Sequence, residues 1–243
     1  MIIIPAVDIK DGKCVRLKQG IISEKTIFSD KPEFMAKRWY DLGAERLHIV
    51  DLDGAFTGKP KNIKVIEKII KCVPIPVEIG GGIRDIKTIK MYIDIGASYV
   101  ILGTIAILNP DLLIEACERF PAKIILGIDA KNGQVLVEGW TKESDLTPLS
   151  IAKRFERHVI SIIYTDIKRD GMKTGPNIKA TKELAMAVSL PIIASGGVGT
   201  IEDVKKIMGL YKYGVSGLII GRALYDVDID LKEAIEISRK WED

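Results

Sequence analysis

The sequence has 243 residues, a length that suits either two small domains or one closed α/β barrel of about 250 residues. Its 47% hydrophobic and 28% charged residues are typical of a globular protein, and its formal net charge of +3 is too small to indicate a nucleic-acid partner. We expect no membrane partner and a cytoplasmic location, because the opening MIIIPAVD lacks a signal-peptide pattern and no apolar run approaches the roughly 18 residues of a membrane span.

Eight strands that alternate with helices are predicted from short β-branched runs bounded by Gly, Pro or Asp. The strands are predicted at residues 2–7, 47–51, 76–79, 99–102, 124–128, 160–165, 192–194 and 217–220. Apolar residues at helical spacing lie between them, for example Ile63, Ile66, Ile69 and Ile70. Such alternation favours parallel strands with right-handed crossovers, so we expect one (β/α)8 TIM barrel over residues 1–243.

Two loops are longer than a simple connection requires. After the first predicted strand, KCVRLKQG alternates like a short extra strand, and after the fifth, GQVLVEGW does the same. We expect each half to carry a hairpin that can close over a ligand.

The second half of the sequence repeats the first. IPAVDIKDGKCVRL matches ILGIDAKNGQVLVEGW, and Asp129 follows Asp8 by 121 residues. This distance is much longer than the periods of about 20 to 50 residues that mark solenoids. The repeat predicts two half-barrels, at about residues 1–120 and 121–243.

Glycine clusters follow two predicted strands, as GGGIR at Gly80–Arg84 and as SGGVG at Ser195–Gly199. Each cluster precedes a predicted helix, where backbone N–H groups can bind an anion. Tight turns alone could require these glycines, but two clusters in register favour two phosphate sites. The predicted phosphate- and substrate-binding residues of these loops are Gly81, Gly82, Arg84, Gly103, Thr104, Gly196, Gly197, Gly221 and Arg222.

Asp8 and Asp129 end the first and fifth predicted strands. Active sites of such barrels lie at the carboxyl ends of the strands, so the two carboxylates should face one another across the mouth. Each Asp alone could cap a helix or loop, but as a pair they suit acid/base catalysis, in which one accepts a proton and the other donates one. Such chemistry needs no metal or other cofactor, and we expect none.

Weaker candidates surround this pair. We align Asp51 of the first half with Thr165 of the second, whose hydroxyl could hydrogen-bond to an intermediate. Asp170 either orders its loop or contacts the substrate. We interpret Trp140 as a stacking residue for a flat heterocycle, in preference to ordinary packing.

The histidines and cysteines form no metal-binding or nucleophilic pattern in the sequence. We expect structural roles for His48 and His158. The cysteines are interpreted as reduced thiols, namely Cys14, Cys72 and Cys117.

The motifs resemble those of the histidine-biosynthesis isomerase family that acts on phosphoribosylformimino-5-aminoimidazole carboxamide ribotide. The resemblance runs nearly end to end, through IPAVDIKDGKCVRLKQG, VDLDGA, EIGGGIR, ILGT, GIDAKNGQVLVEGW, YTDIKRDGMKTGPN, IASGGV and IIGRAL. It implies a bis-phosphorylated small-molecule substrate, an aminoaldose that an Amadori rearrangement converts to the aminoketose. It also implies that Asp8 is the base that removes the C2 proton, Asp129 the acid that opens the ribose ring, and Thr165 a hydrogen-bonding partner of the intermediate.

Three alternatives remain open from the sequence. The cyclase subunit of imidazole glycerol phosphate synthase shares the half-barrel repeat, but it typically reads CLDVKDGRVVKG at the first strand. A dual-substrate isomerase would also act on phosphoribosyl anthranilate, whose carboxylate could meet Arg16. A non-enzymatic phosphate-ligand sensor would not require both Asp8 and Asp129. We expect a monomer.

Overall fold

A closed barrel of parallel strands forms the centre of the computed structural model, which describes residues 1–240. The twelve strands in this part of the chain are β1 (Ile2–Lys10), β2 (Lys13–Lys18), β3 (Ile21–Ser29), β4 (Leu47–Asp51), β5 (Val77–Gly80), β6 (Tyr99–Leu102), β7 (Ile124–Lys131), β8 (Gln134–Val137), β9 (Lys142–Glu143), β10 (Ile162–Asp166), β11 (Ile192–Ser195) and β12 (Val215–Ile220). The barrel consists of β1, β4, β5, β6, β7, β10, β11 and β12, with β12 paired to β1 and β10 paired to β7. The predicted (β/α)8 TIM barrel is confirmed.

Each predicted strand is present in the barrel. β1 and β7 run three residues beyond their predicted ends, because each continues into an antiparallel hairpin, with β2 and β8 respectively. The strands β3 and β9, which complete these hairpins, were not predicted. Every residue of Ile21–Ile27 is exposed, so β3 carries no alternation of buried and exposed side chains from which it could be recognised.

Helices cover the outside of the barrel. In the described residues they are α1 (Pro32–Asp41), α2 (Leu52–Thr57), α3 (Ile63–Cys72), α4 (Ile86–Asp94), α5 (Thr104–Leu108), α6 (Pro110–Arg119), α7 (Pro148–Phe155), α8 (Ile178–Ala187), α9 (Ile201–Met208), α10 (Arg222–Tyr225) and α11 (Leu231–Lys240). A short 3-10 helix spans Tyr211–Tyr213. Within residues 1–240, no helix has the length and apolar character needed to cross a membrane.

Apolar side chains pack on both faces of the barrel wall. Those that fill the interior are Ile4, Ala6, Ile125, Ile163, Ile193 and Ile219. A larger cluster lies between the strands and the helices, where Trp39 packs edge-on against Tyr225 with ring centroids 5.2 Å apart. Because side chains alternate along a strand, the inward-facing residues at the carboxyl ends reach the mouth of the barrel rather than this outer layer.

Candidate active site

A cavity opens at the carboxyl ends of the barrel strands, and a smaller one adjoins it. The main cavity is lined by the predicted residues Asp8, Gly81, Gly82, Arg84, Gly103, Thr104, Asp129, Trp140, Thr165 and Asp170. The smaller cavity is lined by Gly196, Gly197, Gly221 and Arg222. Arg16 and Asp170 line both. The structure therefore brings all the predicted site residues together around one mouth.

Asp8 lies near the end of β1, where it pairs in register with Val15 of the hairpin and Val50 of β4. The Arg16 guanidinium comes from β2 and lies 2.9 Å from the Asp8 carboxylate, Nη1 to Oδ2. Burial opposes the charge of Arg16, but the neighbouring Asp8 and Asp170 carboxylates favour it and raise the arginine pKa overall. The hairpin thus sets a permanent positive charge beside Asp8.

Asp129 occupies the matching place on β7, with Thr165 of β10 directly beside it in register. Burial in the mouth raises the pKa of Asp129, and hydrogen bonds from the side chains of Trp140 and Thr165 offset part of that rise. A carboxyl group with a raised pKa holds its proton closer to neutral pH, which suits a general acid.

Asp170 is a third carboxyl group at the site. It lies in the loop after β10, and its backbone carbonyl accepts a hydrogen bond of 3.1 Å from the backbone N–H of Gln19 in the first hairpin. Burial raises the Asp170 pKa to about 6; Arg16 opposes this rise, and the negative charges of Asp8 and Asp129 add to it. Asp170 thus fixes its loop through its backbone, and contact of its side chain with a substrate stays a prediction.

Trp140 lies in the turn between β8 and β9 of the second hairpin, in a left-handed backbone conformation with φ of 69°. Its ring lies against Gly20 of the first hairpin and faces the main cavity. The two hairpins therefore meet over the mouth through this ring, and stacking of Trp140 on a heterocycle stays a prediction.

The first predicted phosphate site combines a tight backbone with one cation. A side chain at Gly82 would overlap the backbone of Gly54, so the turn itself needs glycine there, as the simpler interpretation held. Arg84, in the loop after β5, and Thr104, just after β6, both face the cavity. The Thr104 hydroxyl accepts a 2.9 Å hydrogen bond from the backbone N–H of Glu138. Close packing and anion binding are compatible here.

The second predicted site contains two cations besides Arg16. Arg222 faces the smaller cavity, and so does Lys173, which the sequence analysis missed because it considered only the glycine loops and their immediate flanks. The Lys173 ammonium is held 2.8 Å from Asp226 and 2.6 Å from Asp228. These contacts fix the loop after β10 to the chain that follows β12.

The alignment of Asp51 with Thr165 was wrong by one residue. Asp8 pairs with Val50, whereas Asp129 pairs with Thr165, so Val50 is the counterpart of Thr165. Asp51 points away from the mouth because side chains alternate along the strand. Its buried carboxylate accepts hydrogen bonds from the backbone N–H groups of Gly54, Lys61 and Asn62, and its role is structural.

His48, for which a structural role was expected, also lines the main cavity. It lies on β4 with its Nδ1 atom 2.8 Å from the Glu78 carboxylate of β5. Because His48 is flanked in sequence by apolar strand residues, only the inward direction of its side chain reveals its place. No cluster of three or more His, Cys, Asp or Glu side chains in residues 1–240 is arranged to hold a metal ion.

Comparisons with known proteins identify one family. The model of the family described as histidine biosynthesis protein matches residues 2–230. A protein of Trichlorobacter lovleyi, named 1-(5-phosphoribosyl)-5-((5-phosphoribosylamino)methylideneamino) imidazole-4-carboxamide isomerase, is 53% identical over 99% of this chain and 98% of its own. A protein of the same name from Syntrophus aciditrophicus is 53% identical over 98% of this chain and 99% of its own. Another, from Geotalea uraniireducens, is 54% identical over 99% of this chain and 98% of its own. The chain belongs to the histidine biosynthesis protein family.

Proposed function

We propose that this chain is the isomerase that converts the bis-phosphorylated aminoaldose of histidine biosynthesis to its aminoketose. The observation that carries the proposal is the pair Asp8 and Asp129 in the main cavity, which contains the first glycine cluster with Arg84 and adjoins a smaller glycine-lined cavity with Arg222. A substrate with a phosphate at each end would place its central sugar over the two carboxyl groups. The relatives' names specify the same chemistry.

The proposed reaction is an internal rearrangement that needs no external oxidant or reductant. Asp129 donates a proton to the ribose ring oxygen as the bond from C1 to that oxygen breaks, and the amine nitrogen forms a double bond to C1. Asp8 removes the C2 proton to give an enol. Asp8 then returns its proton to C1, and Asp129, which is now ionised, accepts the hydroxyl proton at C2, which gives the ketone and restores both carboxyl groups. Thr165 would hydrogen-bond to the intermediate, and Arg16 would stabilise negative charge beside Asp8.

The runner-up functions have less support. The relatives carry the isomerase name, which argues against the cyclase, and binding alone would not require both Asp8 and Asp129 in the cavity of a sensor. Arg16 lies against Asp8 and also lines the smaller cavity, so a second, anthranilate-bearing substrate would have to compete with Asp8 for this guanidinium. A cytoplasmic location, a monomeric state and the absence of a nucleic-acid partner stay predictions.

The test is conversion of the aminoaldose by purified protein, coupled to the cyclase so that product formation is visible. Asp8→Asn should abolish turnover. The matched control is Asp11→Asn, which removes an exposed carboxylate on the same hairpin and should keep full activity. Failure of the wild-type chain to convert the aminoaldose, together with release of imidazole glycerol phosphate from the aminoketose and ammonia, would establish the cyclase instead.

A further inference from the structure

Two charged side chains, Glu78 and Arg46, lie below His48 in the otherwise apolar interior of the barrel. Glu78 of β5 is completely buried, and its carboxylate lies 2.8 Å from His48 Nδ1. Its other oxygen lies 3.5 Å from Nη1 of Arg46, whose guanidinium stacks over the Tyr99 ring at 4.8 Å. A buried carboxylate is costly unless it is paired, so this arrangement calls for an explanation.

The fold itself does not require these polar residues. His48 pairs in register with Ala6 and Glu78. The same register in the second half pairs Ile163 with Gly127 and Ile193, so Ile163 and Ile193 stand where His48 and Glu78 stand in the first half. Both isoleucines belong to the apolar interior cluster. Apolar residues therefore fill these positions in one half of the same barrel, and the polar set in the other half serves something else.

The arrangement determines which nitrogen of His48 faces the cavity. An ionised carboxylate accepts hydrogen bonds but donates none, so the His48 nitrogen beside Glu78 must carry the proton. Nε2 is then the nitrogen left for the mouth, which His48 lines together with Asp8, Asp129 and Asp170.

We propose that Glu78, paired with Arg46, is a positioning residue that fixes the Nδ1–H form of His48 and turns Nε2 toward the sugar hydroxyls of the bound substrate. Glu78 touches no substrate and acts through His48. The catalytic part of this inference rests on the proposed isomerase function, whereas the tautomer does not.

Nitrogen NMR tests the tautomer without any assay of activity. The chain has two histidines, so a long-range ¹H–¹⁵N spectrum contains two ring systems, and His158→Gln assigns the other to His48. We expect a protonated Nδ1 on His48 up to about pH 9, where a free imidazole is neutral. An unprotonated Nδ1 in the wild-type protein overturns the proposal, whatever the enzyme assay gives.

Kinetics test whether Glu78 acts through His48. The variant Arg46→Ser/Glu78→Ile introduces the residues of the second half, where Ser161 and Ile193 stand. We expect kcat to fall about 10- to 100-fold, the range typical of lost second-layer support for a functional histidine, with KM within about threefold and no loss of melting temperature. Glu78→Gln, which keeps the volume and an acceptor oxygen, should lose less.

The double-mutant cycle separates this role from a structural one. In a His48→Ala background, Arg46→Ser/Glu78→Ile should cause no further loss of kcat, because the residue through which Glu78 acts is already gone. An equal loss with and without His48, or a fall in kcat matched by a fall in melting temperature, rejects the proposal. His158→Gln is the control and should retain full kcat. If the wild-type chain converts no aminoaldose, the NMR result alone decides.

Discussion

At the scale of single residues, Asp129 offers the clearest test of acid catalysis. Burial raises its pKa, and hydrogen bonds from Trp140 and Thr165 orient it. Asp129→Asn keeps the shape and removes the proton donor, so kcat should fall about 10² to 10⁴-fold with little change in KM. Steady-state kinetics of this variant and of Asp145→Asn, an exposed carboxylate just after β9, measure the difference. A raised KM with unchanged kcat would assign Asp129 to binding.

Asp170 predicts a pH-dependent stability. Its folded-state pKa of about 6 lies above its ordinary value of 3.8, so the folded protein binds this proton more tightly than the unfolded chain does. Stability therefore falls as the pH rises from about 4 to 6, and the destabilisation is complete above that window. At pH 8, Asp170→Asn should raise the melting temperature and increase the free energy of unfolding by up to about 3 kcal/mol. Near pH 3.5 it should change both quantities little. Equal shifts at both pH values would contradict this.

At the scale of elements, the two hairpins contact each other where Gly20 meets the Trp140 ring. A side chain at Gly20 would lie 2.5 Å from the Trp140 ring, whereas one at Gly12, on the same hairpin, meets no described atom within 4 Å. Both glycines have φ of 74°, so alanine strains the backbone equally at either position. Gly20→Ala should lower kcat/KM about tenfold through the displaced Trp140, while Gly12→Ala should only lower the melting temperature. Identical kinetics of the two variants would show that Trp140 need not lie there.

The elements also differ in how well the sequence predicts them. Buried β-branched runs between turn residues defined the barrel strands, because burial on both faces leaves a continuous apolar pattern. The exposed β3 leaves no such pattern, and the one-residue slip that confused Asp51 with Val50 reverses the face of the strand. His48 and Lys173 reach the site through long-range pairing and loop docking, which no local pattern encodes.

At the scale of the whole molecule, the two phosphate pockets should contribute independently to binding. Arg84 lines the main cavity beside the first glycine cluster, and Lys173 lines the smaller one beside the second. A hydrogen bond to a charged group contributes about 1.5 to 3 kcal/mol, so Arg84→Met and Lys173→Met should each raise KM at least about tenfold. These variants test binding more specifically than changes at Gly82 or Gly197, because any side chain there would overlap the backbone of another loop and disturb the fold.

The double variant decides whether one substrate uses both pockets. Because the two cations belong to separate pockets, their effects on KM should multiply to about a hundredfold or more while kcat stays within a fewfold of wild type. Lys179→Met, which removes an exposed lysine of α8, is the control and should leave KM unchanged. If the KM of the double variant were no higher than that of the more affected single variant, only one phosphate would be held. The substrate would then span half of the mouth. Multiplied effects require a ligand with an anion at each end, as the duplicated glycine loops predict.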